Sequence, residues 1–204
     1  MPRLVLLVAL LVFGGAPPLA QERAEATFAG GCFWCIEADF DKIEGVLETV
    51  SGYTGGGVED PTYRQVVAGG TGHREALRVV YDPEVVSYDE LLTAFWHSVD
   101  PTDDGGQFCD RGFSYTTAIY VMNEAQRAAA EASKARVRAD LALDAAIETP
   151  IVDAGEFWRA EEYHQNYHKK NPARYKFYRW NCGRNARVRE VWGETAFAGI
   201  PGLD

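Results

Sequence analysis

Two thiols three positions apart, Cys32 and Cys35, follow a pair of glycines in Gly30-Gly31-Cys32-Phe33-Trp34-Cys35. The residues before the glycines read as a short strand and those after them carry a helical stripe, so Cys32 falls where a strand turns into a helix. Unpaired N–H groups and the dipole at a helix N-terminus stabilise a thiolate, lowering a thiol pKa from its free value of about 8.5. Cys32 is therefore a candidate nucleophile. Trp34 falls off the stripe formed by Ile36, Phe40 and Ile43, leaving a large ring beside the thiol for a substrate to touch. The competing reading of the hexapeptide is a buried, inert thiol, because free cysteine is often buried.

Glu75 is the second unusual residue. Strand alternation puts it on the same face as Leu77, Val79 and Tyr81, toward the core. Burial raises a carboxyl pKa and keeps the group protonated, as a general acid near neutral pH requires. The alternative is a fraying first strand residue that points to water. Four phenols, Tyr53, Tyr63, Tyr81 and Tyr115, lie in or beside the neighbouring loops and strands. Phenols in an apolar pocket can donate hydrogen bonds to a polarised oxygen without carrying charge, although most tyrosines are packing residues. His164 and His168 are four apart, a spacing metals use, but no third ligand is fixed by spacing and a packed helix face is the better reading. Cys109 and Cys182 stand alone, so a structural zinc site is not expected and no metal or cofactor is called for.

The elements that must position these groups alternate from Ala24 onward. Thr27 to Gly30 reads as a strand, Phe33 to Ile43 as a helix capped by Gly45, and Val46 to Gly52 as a strand. A glycine-rich loop spans Tyr53 to Gly72, and a strand follows from Glu75 to Tyr81. Ser87 with Glu90 is a capping box that opens a helix to about Ser98. After a second glycine-rich loop, Asp100 to Ser114, come a strand from Tyr115 to Val121 and an Ala-rich helix capped by Asn123. This β-α-β-β-α-β order suits an α+β fold, the ferredoxin-like split βαβ plait, a two-layer sandwich with its helices on one face. Beyond it the pattern predicts a strand near Ala146 to Val152, a polar helix around Arg159 to Lys170, and an irregular tail after Pro172.

In seven ordered pieces the chain resembles the peptide methionine sulfoxide reductases of the A type. They are Gly31-Cys32-Phe33-Trp34, Gly52-Tyr53-Thr54-Gly55-Gly56, Pro61-Thr62-Tyr63, Thr71-Gly72-His73-Arg74-Glu75, Tyr81-Asp82-Pro83, Asp100-Pro101-Thr102, and Glu162-Tyr163-His164-Gln165. The resemblance runs from about Ala26 to Asn171. It implies that Cys32 is the nucleophile, Glu75 the acid, Tyr63 and Tyr115 the oxygen-binding phenols, and Phe33 and Trp34 the aromatic wall for the substrate methyl. Asp110 matches the carboxylate of the loop before Tyr115. Thiolate attack on the sulfoxide sulfur, with proton delivery to its oxygen, then leaves methionine and a Cys32 sulfenic acid. The implied substrates are free methionine sulfoxide and oxidised proteins, as the S epimer.

Regeneration has three candidate thiols. In this family a cysteine of the C-terminal tail commonly reaches back, so Cys182 ranks first, with Arg179 and Arg184 flanking it to raise its thiolate fraction. Cys35, one turn from Cys32, ranks second and Cys109 third. The implied reductant is a thioredoxin-like or other dithiol. The alternative from another class is a thioredoxin-like disulfide oxidoreductase, with Thr149-Pro150 imitating its cis-proline. A binding module with inert thiols leaves Glu75 and the tyrosines unexplained.

Composition narrows the partners. The 204 residues are 47% hydrophobic and 25% charged, and 30 acids against 20 bases give a net charge of −10, which repels phosphate backbones and excludes nucleic acid. Residues 1–20 carry one charge, Arg3, an apolar run from Leu4 to Phe13, and a small Pro-containing stretch to Ala20. That is a secretory signal pattern, too short to span a bilayer comfortably. The expected organisation is a signal peptide over 1–20 and one reductase domain over 21–204, with a core at about 26–171 and an extension at 172–204. A periplasmic or secreted monomer follows, anchored in the membrane if the segment stays uncleaved.

Overall fold

A computed structural model describes residues 22–141 and 146–203, so the signal peptide expected over 1–20 lies outside the described residues. The chain forms a mixed α/β fold around a six-stranded sheet in the order β7-β6-β1-β3-β2-β8. Its strands are β1 (Ala24–Gly30), β2 (Val46–Thr54), β3 (Arg74–Tyr81), β6 (Thr117–Val121), β7 (Ile151–Asp153) and β8 (Phe157–Arg159), while β4 (Gly106–Gln107) and β5 (Asp110–Arg111) pair separately. Neighbours in the large sheet are antiparallel except β6 and β7.

Alternation decides which face is the main core. Phe28, Leu77, Val79 and Ile119 project to one side, where α1 (Phe33–Phe40) and α3 (Tyr88–Trp96) bring Phe33, Ile36, Phe40, Leu91 and Phe95. Ala29, Ala76, Ala118 and Tyr120 project to the other and meet Val152 and Phe157. Stacking of Phe28 between Phe40 and Phe95, at 5.3 and 5.1 Å between ring centres, ties both helices to the central strand. The Ser87–Glu90 capping box forms as expected, and Asn123 caps α4 (Glu124–Asp140).

Several local expectations need correction. The first long loop contains a short helix, α2 (Tyr63–Ala68), closed by a Thr62–Gln65 capping box. Six residues are too few to show a helical period, so the loop's glycines masked it. The polar helix expected over Arg159 to Lys170 starts on the last residue of β8 and runs through a turn, with only α5 (Tyr167–Lys170) helical. The tail after Pro172 is regular: Pro172 opens α6 (Pro172–Asn181), and α7 (Arg184–Trp192) follows. Their buried faces are built partly from Arg179 and Arg184, and a search for apolar periodicity passes over arginines.

Candidate active site

The site begins at the turn between β1 and α1. Gly31 takes φ +80°, and a Cβ there would stand 2.6 Å from Gln107 Cβ, so glycine lets the strand turn sharply under the second loop. Cys32 is the residue before the first turn of α1, and both Cys32 and Cys35 are buried free thiols. Burial pushes the Cys32 thiol up, reinforced by Cys35, Glu75 and Asp110. This corrects the expectation that the helix N-terminus lowers it: the N–H of Phe33 is taken by Glu75 Oε2 at 3.0 Å, and two acids face the sulfur. The lowered thiol is Cys35, brought to about 7 by a hydrogen bond from Cys32 against the effect of burial, helped by the Arg184 and Arg179 guanidinium groups. The two thiols are thus driven in opposite directions by their shared contact and their neighbours.

Glu75 is only 1% exposed and lies opposite Tyr53 in the β2–β3 register. Burial raises its carboxyl to about 8 although the Phe33 N–H and Tyr115 favour the charged form, so the group holds a proton at neutral pH. The alternative of a frayed, solvated residue is excluded. Tyr115 acts on both Glu75 and Tyr63, and burial keeps both phenols protonated. Tyr53 is fully buried beside Phe33, whereas Tyr81 lies six residues from Glu75 along β3 and belongs to the core.

An aromatic wall completes the corner. Trp34 stacks on Tyr167 at 3.7 Å, and its indole N–H donates to His164 Nδ1 at 3.0 Å. An indole nitrogen only donates, so His164 carries its proton on Nε2, and burial depresses its pKa to about 4, keeping it neutral. His164 is therefore a positioning residue, packed also against Phe33 and Tyr63. His168 faces Glu37 and Asp41, so the two histidines share no metal site.

The remaining thiols are bonded to each other as Cys109–Cys182, across 73 positions. Neither is a free thiol in this state, and Cys182 caps a helix rather than riding on an irregular, mobile tail. Asp110 beside them accepts from the Tyr178 hydroxyl, and burial raises its carboxyl. Cys109, Asp110 and Cys182 are close enough to suggest metal ligands, but the two sulfurs are spent on their own bond. Arg179 and Arg184 do not serve Cys182. Arg179 grips Asp39 at 2.7 and 3.1 Å, and buried Arg184 donates to the Gly30 and Ser98 carbonyls.

Sequence reading misses three contributors. Glu161 accepts from the Tyr53 hydroxyl at 2.8 Å and the Tyr63 N–H at 2.9 Å, joining α2 to the β2 end of the site. Gln165 bonds both backbone groups of Ser51, holding the turn before α5 against β2. Arg184 supplies a buried positive charge behind Cys35. A carboxylate one residue before Glu162-Tyr163-His164-Gln165 was the available signal for Glu161; Gln165 stands in that motif and Arg184 near Cys182, but their contacts with Ser51 and Cys35 had no signal.

A vicinal pair of buried thiols facing a protonated carboxylic acid and two neutral phenols is the equipment of a thiol-dependent oxidoreductase on a mixed α/β fold. Residues 24–196 match the family model described as peptide methionine sulfoxide reductase. Over 184 residues the chain is 52% identical to peptide methionine sulfoxide reductase MsrA 2 of Rhizobium meliloti, covering 90% of this chain and 91% of that one. Among solved structures, reduced Mxr1 of Saccharomyces cerevisiae superposes with a TM-score of 0.69 at 30% identity, over 74% of this chain and 86% of that one. Methionine sulfoxide reductase A of Corynebacterium diphtheriae does so with 0.65 at 34% identity, over 74% and 76%. Mxr1 has also been solved in complex with Trx2, where the likeness is 0.51 at 23% identity over 76% and 91%, a resemblance of fold alone. This chain belongs to the peptide methionine sulfoxide reductase family. The disulfide-oxidoreductase alternative is not favoured, and no cis peptide bond occurs among the described residues, Thr149-Pro150 included.

Proposed function

We propose that this protein reduces the S epimer of methionine sulfoxide, free or in oxidised proteins, with Cys32 as nucleophile and Glu75 as proton donor. The observation that carries the reading is the buried, protonated Glu75 bonded to the first N–H of the helix that presents Cys32. Cys32 sulfur attacks the sulfoxide sulfur while Glu75, aided by Tyr63 and Tyr115, delivers a proton to the oxygen. The hydroxyl then passes to the Cys32 sulfur as the transient S–S bond and the S–O bond break, the proton of the Cys32 thiol returns to Glu75, and methionine leaves with Cys32 as sulfenic acid. Phe33 and Trp34 take the methyl group. Because methyl and oxygen must reach opposite walls at once, one epimer fits.

Cys35 is then the resolving thiol: its sulfur attacks the sulfenic sulfur, water departs, and a Cys32–Cys35 disulfide forms. Its place one helical turn from Cys32, its lowered thiol and the engagement of Cys182 with Cys109 support this reversal of the order expected from the tail. A thioredoxin-like dithiol of the same compartment reduces the new bond, returning both thiols. Asp110 steadies the loop that carries Tyr115 through its bond from Tyr178.

The organisation proposed is a signal peptide over 1–20 and one domain beyond it, working outside the cytoplasm; the charge and apolar run of the first residues support it. The order β6-β1-β3-β2 with α1 and α3 on one face supports a ferredoxin-like plait at the centre. A monomer is proposed because Cys32, Glu75, Tyr63, Tyr115 and Trp34 already form a closed site that needs no further residue to complete it.

Incubation with dithiothreitol and each epimer of methionine sulfoxide, and separately with a protein disulfide, tests the function. Loss of the S epimer alone is the expected result. Disulfide exchange without sulfoxide loss overturns it.

A further inference from the structure

The cleft outside Trp34 is larger than the reacting group requires. It encloses about 510 Å³, within the roughly 300–1,000 Å³ of pockets that hold drug-sized ligands, whereas a methionine sulfoxide side chain brings only a few heavy atoms. Its inner end is Trp34 and Tyr63, already committed to the proposed chemistry. Its outer end is Tyr163 from the turn before α5 together with Arg174, Phe177 and Asn181 of α6. Those three fall at i, i+3 and i+7, so they line one face of that helix.

The outer end has two properties that packing does not explain. Phe177 is 64% exposed and Tyr163 57%, two large rings left in water at the mouth of a reaction cleft. Arg174 is the one charged residue of the lining, and it has no ion-pair partner among the described residues, in a chain of net charge −10. An aromatic shelf with a single unpaired cation is suited to an apolar side chain with a carboxylate nearby.

We propose that this outer half is a subsite for the polypeptide that carries the sulfoxide. It takes an aromatic or branched apolar side chain one or two positions from the oxidised methionine against Phe177 and Tyr163, and Arg174 meets an acidic side chain next to it. The proposal rests on the sulfoxide-reductase reading and names its favoured substrate class. The argument for this occupant is continuity. With the sulfoxide at Trp34, an extended peptide advancing about 3.3 Å per residue carries its next side chains across the rim. Extended loops, termini and unfolded segments can lie across this rim, whereas a methionine inside a helix or a sheet cannot. A free amino acid has no side chain to place there.

Steady-state rates with blocked pentapeptides test this. The first has methionine sulfoxide between glycines, the second replaces a flanking glycine by phenylalanine, and the third adds aspartate beside the phenylalanine. N-acetylmethionine sulfoxide amide is the small reference. Burying one aromatic ring predicts about a tenfold rise in kcat/KM for the second peptide over the first, carried mainly by KM. Aspartate adds about threefold at low salt, and the increment shrinks as salt rises.

In Phe177→Ser the phenylalanine preference falls to near one while the small reference is turned over as before. Arg174→Ala loses only the aspartate increment. A wild-type enzyme that ignores the flanks, or a preference that survives Phe177→Ser, overturns the subsite while leaving sulfoxide reduction standing. Failure to reduce even the small reference overturns the reductase reading and the subsite with it. If Phe177→Ser instead slows only the step driven by a protein dithiol, or abolishes a concentration-dependent dimer, the shelf belongs to the reductant or to a second copy and the proposal fails.

Discussion

Cys32 and Cys35 lie one helical turn apart and remain thiols, while Cys109 and Cys182 lie 73 positions apart and are bonded. The first pair is a product of local geometry. A helix start brings residues i and i+3 together whatever the rest of the chain does, so those sulfurs can bond and separate without disturbing a second element. The second pair joins the Asp110 loop to the C-terminal end of α6. That helix delivers Tyr178 to Asp110 and Arg179 to Asp39 of α1, so the bond fastens the wall of the site to its nucleophile helix. Four cysteines that look like rivals for one task divide into a free local pair and a bonded distant pair. Closeness in sequence favours reversible redox work, and distance favours holding.

Experiments that break this comparison begin with the nucleophile. Cys32→Ser is expected to abolish sulfoxide reduction in the dithiothreitol assay with the circular dichroism spectrum unchanged, because a hydroxyl is far less nucleophilic than a thiolate. Turnover near the wild-type rate would move the chemistry to another thiol. Glu75→Gln keeps a hydrogen-bond donor but removes the transferable proton, and kcat/KM should fall about 10²–10⁴-fold. The wild-type profile should lose activity as pH rises through about 8, since the protonated carboxyl is the working form and its raised pKa lies there. That alkaline limb should be absent from the Gln variant; its persistence would assign the limb to another group.

Cys35→Ser sharpens the distinction between the pairs. With dithiothreitol, which can attack a sulfenic acid directly, turnover should continue at reduced rate, while a thioredoxin-like dithiol should support little. After one turnover without reductant, dimedone should label Cys32 in the variant, and peptide mapping of the wild type should find Cys32 bonded to Cys35. A Cys32–Cys182 peptide instead would restore the tail as the resolving element. The mildest effect on catalysis is expected from the double change Cys109→Ala and Cys182→Ala. Opening a 73-position loop should cost about 4 kcal/mol of unfolding free energy in the chain-entropy picture, read by denaturant titration, with methionine release in a single turnover preserved. A variant that is stable but stalls before regeneration would make this pair an electron carrier.

Legibility follows range. The Gly-Gly turn before Cys32, the alternation that buries Glu75, the Ser87–Glu90 box and the Asn123 cap each act within a few residues, and each is found where the sequence puts it. The helices after Pro172 escaped because arginines occupy their inner face. They are tolerated there because Asp39 and the carbonyls of Gly30 and Ser98 accept from their terminal guanidinium nitrogens, although Arg184 Nε has no partner among the described residues, a condition visible only once the partners are assembled.

By itself, then, the sequence determined the thiol at its helix start, the carboxyl on the inner face of β3, and the family to which such a pattern belongs. Those features follow from local turns, strand alternation and short motifs. Only the tertiary structure decided which thiol is lowered, which cysteines are bonded, and how the aromatic wall is held. These depend on partners far apart in the chain: 73 positions for Cys109 and Cys182, 98 for Tyr63 and Glu161, 130 for Trp34 and His164, and 154 for Gly30 and Arg184. Burial and charge at a site are sums over such neighbours, and a linear pattern does not contain them until the chain has folded.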